Sequence, residues 1–196
     1  PLDEGTVMDM PISIPRVPIS QGVDDLKARD MVLCRFPEVA MVVGKLGRAE
    51  TPTDPAPLDM IETMVDFHPR EFWPARALAA GVAEAQVKVV ARAMADRGLV
   101  APIDAGELAD AVASTRLIFD VQMREYAYQR NRELFRSPGF DEATWKLNGL
   151  SANALRRWRE HARAVDSQLL ERAPGLFNRI AIEEILTHGR PVDPRL

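Results

Sequence analysis

The pattern of apolar and polar positions changes character along the chain. Two segments near the N-terminus, Thr6 to Ile14 and Leu58 to Phe67, alternate with a period of two, which predicts β-strands. In the second segment one set of side chains is expected to face a core and the other set to lie outside. The predicted core set is Ile61, Thr63, Val65 and Phe67, and the opposite set is Met60, Glu62, Met64 and Asp66.

A helix and a further strand are predicted between these two segments. Ser20 is the expected N-cap of a helix that Pro37 stops. The apolar run Val39 to Val43 predicts a short buried strand. The resulting order of strand, helix, strand and strand is that of the opening of a split βαβ, ferredoxin-like unit.

Helical periodicity replaces alternation beyond residue 69, and no strand is predicted there. One helix is expected to carry its apolar stripe on Leu108, Val112, Thr115, Phe119, Gln122 and Tyr126, and another on Leu155, Trp158, Ala162, Val165 and Leu169. The predicted helices are Ala77–Arg97, closed by Gly98; Asp104–Phe135, opened by the capping-box pair Asp104 and Glu107; a helix capped by Ser151; and Leu176–His188. The fold class is therefore α+β, with a βαββ unit at residues 1–76 and a mostly helical insertion or subdomain at residues 77–196.

Composition excludes several classes of protein. The chain has 196 residues and a net charge of -4, so nucleic acid is not an expected partner. Cys34 is the single cysteine, which rules out an internal disulfide and any cluster of thiolate ligands. The excess of negative charge comes from residues 1–69, which carry 6 Lys and Arg against 12 Asp and Glu.

Candidate chemistry is concentrated on methionine. No P-loop, GxGxxG or GxSxG motif occurs and the three histidines are far apart in sequence, so no catalytic residue and no enzyme activity is predicted. Cys34 is expected to be a small buried apolar residue. Methionines alternate with carboxylates around Asp9 and around Glu62, and thioether sulfur is a soft ligand that favours Cu(I) or Ag(I) over hard divalent ions.

Two sequence stretches resemble a known family. PLDEGTVMDMP and FPEVAMVVGKLGRAETPTDPAPLDMIETMVDFHPREFW are similar to the heavy-metal efflux branch of the resistance-nodulation-division transporters, especially its copper and silver type. The resemblance covers residues 1 to about 76. It implies a periplasmic porter-domain segment of an inner-membrane, proton-driven pump, with no resident cofactor.

The resemblance also implies a set of metal-binding residues. The two cleft methionines of the family match Met10 and Met60, and its charged cleft residues match Glu4, Asp54 and Glu62. A third family methionine has no match here. The implied partners are the transported Cu(I) or Ag(I) ion, the other protomers of a trimeric pump, a periplasmic adaptor protein and an outer-membrane channel.

Two alternatives remain open from the sequence. In one, the pump carries Zn(II), Co(II) or Ni(II) on Glu4, Asp54 and Glu62 together with His68. In the other, the chain is an interaction module whose helices bind an adaptor and whose methionines only fill space.

Overall fold

A computed structural model describes residues 5–11, 18–47, 60–138, 140 and 151–193. Three strands and the first helix come from the N-terminal part, and three longer helices follow. The predicted α+β class is confirmed. The elements are β1 (Thr6–Asp9), α1 (Ile19–Leu33), β2 (Val39–Leu46), β3 (Ile61–Phe67), a 3-10 turn (Arg70–Phe72), α2 (Ala80–Asp96), α3 (Ala105–Phe135) and α4 (Ala152–His188).

The three strands form one antiparallel sheet in the order β1-β3-β2. Since β3 runs antiparallel to both neighbours, β1 and β2 are parallel to each other and α1 connects them. This is the split βαβ arrangement, and it confirms the predicted partial ferredoxin-like unit. Among the described residues, no further strand joins this sheet.

The central strand β3 has one buried side and one open side, as its alternation predicts. Ile61, Thr63 and Val65 are at most 5 % exposed and face α1, where Leu26 is also buried. Thr63 Oγ1 lies 3.3 Å from Asp30 Oδ1 of α1. The side of the sheet that faces α1 is called the inner face below, and the opposite side the outer face.

Several boundaries in this region differ from the predictions, among them the end of α1, which lies at Leu33 and not at Pro37. β1 ends at Asp9, because Pro11 has no N–H to donate to a strand ladder; residues 12–14 of the predicted strand lie outside the described residues. Helix α1 begins at Ile19 after Pro18 and has no side-chain cap, so the prediction of Ser20 as N-cap is wrong. Strand β2 is longer than predicted, and its outer face is open to solvent rather than buried.

The described chain divides into two units. Unit 1 contains the described residues of Pro1–Pro74 and Asn131–Ala162, and unit 2 contains those of Ala75–Arg130 and Arg163–Leu196. The described residues among 131–162 thus belong with the sheet, although the sequence pattern assigns them to the helical region. The division into a porter piece and a helical insertion stays a prediction.

Unit 1 has an aromatic cluster in addition to the inner face of the sheet. Trp158 is 1 % exposed and stacks on Phe72 with ring centroids 3.9 Å apart. Phe135 and Phe140 meet the edge or face of the same indole. The cluster forms because α4 presents Trp158 on the apolar stripe predicted for it.

Unit 2 is built around the apolar stripes of α2, α3 and α4. The predicted capping box is present, since Asp104 accepts from the Glu107 N–H at 2.9 Å and Glu107 accepts from the Asp104 N–H at 3.1 Å. Gly98 follows α2 with a φ of 67°, a conformation suited to glycine at a helix end. Thr115 and Phe119 are buried as predicted, whereas Gln122 is exposed and Met123 is buried in its place.

Helix α4 corrects a further prediction. Ser151 caps it as expected, with Oγ 3.2 Å from the Ala154 N–H. The predicted separate helix Leu176–His188 is wrong, because α4 continues through Pro174. Proline inside a helix costs about 3 kcal/mol. Leu169 and Phe177 are buried on either side of it, and their burial offsets that cost.

Two adjacent leucines of α4 test this packing. Leu169 is fully buried and Leu170 is 76 % exposed. Leu169→Ala should lower the free energy of unfolding by about 2–5 kcal/mol because it leaves a cavity. Leu170→Ala should change it by less than about 0.5 kcal/mol. Urea denaturation followed by circular dichroism measures both; equal losses would contradict the assigned helix face.

Two glycines form a second matched pair. A Cβ on Gly44 of β2 would lie 2.6 Å from Leu26 Cδ1 and would also collide with Asp30, whereas a Cβ on Gly175 of α4 would meet nothing within 4 Å. Gly44→Ala should therefore destabilise by about 1–3 kcal/mol through overpacking between sheet and helix. Gly175→Ala should stabilise by about 0.5–1 kcal/mol, since alanine is the better helix former. Thermal and urea unfolding of both variants provides the comparison, and a stable Gly44→Ala protein would argue against the close approach of α1.

Candidate metal-binding face

The outer face of the sheet carries exposed thioethers. The register pairs Met8 of β1 with Met64 of β3, and Met64 in turn with Val43 of β2. Directly opposed residues of paired strands lie on the same face. These three side chains, together with Met41, are between 40 % and 53 % exposed.

Polar pairs lie on both sides of this row. The Thr6 hydroxyl donates to Asp66 Oδ1 at 2.6 Å. The Lys45 ammonium donates to Glu62 Oε2 at 3.2 Å. Both pairs join neighbouring strands across the outer face. Along β3, Met64 therefore has a carboxylate on either side, Glu62 and Asp66.

Met10 and Met60 lie at one end of the sheet. Met10 follows the last residue of β1 and is 49 % exposed, and Met60 precedes the first residue of β3 and is half-buried. Because β1 and β3 are antiparallel, the end of the first strand lies beside the beginning of the third. The fold thus brings these two chain positions to the same end of the sheet. That they share a metal ion stays a prediction.

Of the three predicted carboxylate ligands, Glu62 lies among the described residues. Glu62 is on the outer face and pairs with Lys45. Glu4 and Asp54 lie outside the described residues. Asp9, which stands between Met8 and Met10, belongs to the inner face, where Arg29 Nε of α1 donates to its Oδ2 at 2.7 Å.

His68 is separated from Glu62. It follows β3 at the opposite end, six residues from Glu62, which corresponds to about 20 Å along an extended strand. Its ring is buried and meets the Trp158 ring edge-on at 4.8 Å. Its carbonyl accepts from Trp73 Nε1 at 2.7 Å. The structure therefore does not bring His68 and Glu62 together as ligands of one ion.

In the described part of the chain, no group of three or more His, Cys, Asp and Glu side chains could hold a metal ion. The helices of the same residues also lack the combination of length and apolar character that a membrane crossing requires.

Cys34 corrects another expectation, because it is exposed rather than buried. It is the C-cap of α1, and its N–H donates to the Asp30 carbonyl at 2.9 Å. Burial of Cys34 was predicted because it adjoins the apolar helix stripe that runs to Phe36, but the helix ends at Leu33.

The exposed thioether of Met41 was not predicted either. The apolar run Val39 to Val43 resembles a buried strand, whereas Met41 is 42 % exposed.

Known proteins match part of the chain. Over 72 residues it is 40 % identical to the cation efflux system protein CusA from two Escherichia coli strains, K12 and O157:H7. The predicted family resemblance is confirmed. SilA of Salmonella typhimurium is equally similar, with 40 % identity over 72 residues.

The match is partial on both sides. It covers 37 % of this chain and 7 % of each relative, so the chain spans only a small part of these curated relatives. No family model matches the chain. No solved structure matches it either.

The position of His68 leads to a prediction. His68→Ala should lower the free energy of unfolding by about 2–4 kcal/mol, as other large-to-small core substitutions do, because the ring packs on Trp158. Zn(II) binding, measured by calorimetric titration, should be unchanged. His188→Ala, at a half-buried histidine of α4, is the control. A well-folded His68→Ala protein with weakened Zn(II) binding would contradict this placement.

Proposed function

We propose that this chain is part of the periplasmic porter domain of a heavy-metal efflux pump, where it captures and passes Cu(I) or Ag(I). The observation that carries the proposal is the 40 % identity to cation efflux system proteins over 72 residues. The chain performs no covalent step in this role. It acts by presenting ligands to an ion that moves through.

Met10 and Met60 are the proposed ligands. Their positions at one end of the sheet support the assignment, since β1 ends where β3 begins. Two neutral thioethers hold a soft monovalent ion without neutralising it, which suits transient binding during transport. Glu4, Asp54 and Glu62 are proposed to set a negative potential that attracts the cation.

The divalent alternative has less support. It needs several hard ligands around one ion, and in the structure Glu62 is paired with Lys45 while His68 is buried among aromatic rings. Thioethers bind Zn(II), Co(II) and Ni(II) poorly compared with imidazole and carboxylate. The soft ion is therefore the better fit to the described residues.

The assembly around the chain follows from the same proposal. The pump is proposed to be a trimer in the inner membrane, in contact with a periplasmic adaptor protein and an outer-membrane channel. The helical region provides exposed arginines, such as Arg156 and Arg163, that are proposed to contact such a partner.

Silver titration tests the proposed ligands. Exposed Cys34 would bind Ag(I) through its thiolate, so every protein in the series carries Cys34→Ser. Met10→Ile and Met60→Ile should each weaken one class of Ag(I) site by at least about tenfold, since removing a ligand should cost no less than the 10–100-fold typical of outer-shell partners. Isothermal calorimetry in a chloride-free buffer measures the affinities.

The control is another exposed methionine. Met31 lies on α1 and is 65 % exposed, so Met31→Ile should leave Ag(I) binding unchanged. Zn(II) is titrated into the same proteins. Unchanged Ag(I) binding in both variants would exclude the methionine assignment, and tight Zn(II) binding lost in Glu62→Gln would favour the divalent pump.

A further inference from the structure

The outer face holds a second set of thioethers, distinct from the pair at the end of the sheet. We propose that Met8 and Met64, with Met41 as a third donor, form an additional Cu(I) or Ag(I) site in the middle of that face. The inference rests on the proposed function only for the choice of ion. The arrangement of the sulfurs follows from the strand register alone.

The pairing of Met8 with Met64 is of the closer kind. The Phe67 N–H donates to the Gly5 carbonyl at 2.8 Å, so Gly5 and Phe67 form a hydrogen-bonded pair. Hydrogen-bonded and non-hydrogen-bonded pairs alternate along an antiparallel ladder, and Met8 lies three residues beyond Gly5. Met8 and Met64 therefore form a non-hydrogen-bonded pair, whose Cα atoms are about 4.5 Å apart and whose side chains lie closest.

Met41 adds a donor from the other side of β3. It is opposite Asp66, two positions along β3 from Met64 on the same face. Such diagonal neighbours are about 7–8 Å apart, within reach of long side chains. Methionine has three rotatable bonds, so its sulfur can move toward a shared ion without any change in the backbone.

The surroundings suit a soft cation. Glu62 and Asp66 lie two residues on either side of Met64, about 7 Å along the strand. Asp66 is bonded to the neutral Thr6 hydroxyl, whereas Glu62 is paired with Lys45. Among these named groups, two carboxylates stand against one ammonium, an excess of one negative charge around Met64. Both carboxylates are already hydrogen-bonded, whereas the thioethers are exposed to solvent.

The site can be tested on each methionine separately. In the full chain carrying Cys34→Ser, NMR spectra of labelled methionine ε-methyl groups are recorded during Ag(I) addition. We expect the Met8 and Met64 resonances to shift at substoichiometric Ag(I), accompanied by Met41. The exposed Met31 and the buried Met94 and Met123 should not move.

Two double variants separate this site from the first one. In Met8→Leu with Met64→Leu, the Met41 shift should disappear and Ag(I) affinity at that site should fall by at least about tenfold, while Met10 and Met60 still respond. In Met10→Ile with Met60→Ile, the Met8, Met41 and Met64 shifts should persist.

Two results would overturn the inference. If Met8 and Met64 respond no earlier than Met31 in the parent chain, the outer face is only an apolar surface. This result is obtained without any methionine variant, so it does not depend on whether a variant folds. If they respond only when Met10 and Met60 are intact, there is no second site and the proposed function stands. Loss of the Met10 and Met60 response alone would instead exclude the proposed ligands and leave the second site in place.

Discussion

The position of β3 between β1 and β2 is the constraint on which the sheet depends. Its inner residues, Ile61, Thr63 and Val65, are buried against α1, and a strand has a side-chain period of two. Burial of one set therefore forces Glu62, Met64 and Asp66 to the outer face. A shift of one residue in register would expose the core and bury two carboxylates, so the buried face specifies the register strongly.

The outer face combines two properties of methionine in one place. A thioether is apolar enough to tolerate partial burial and soft enough to bind a monovalent cation. The partial exposure of Met8 and Met64 suits both packing and metal binding. The flanking carboxylates add an electrostatic preference for a cation. Cys34 contributes the strongest soft ligand of the chain, but it caps α1, which packs on the inner face.

The helices of unit 2 depend on different physics. Local hydrogen bonds define their ends, as in the reciprocal pair Asp104 and Glu107, while buried stripes hold their middles. In α4, burial of the apolar stripe prevails over local backbone hydrogen bonding, because the helix continues through Pro174. Burial of Leu169 and Phe177 keeps the backbone helical where the local sequence favours a break.

The amino-acid sequence by itself determined the features that depend on neighbouring residues: the alternation of β3, the order of strand, helix, strand and strand, the capping box at Asp104 and the resemblance to efflux pumps. Other features depend on residues distant in sequence, and only the tertiary structure decided them. The antiparallel register placed Met8 opposite Met64, and packing against Trp158 buried the ring of His68. Cys34, which directly follows α1, is exposed. Local pattern contains no information on which strands pair or which apolar surfaces meet, because those choices are made by burial over the whole unit.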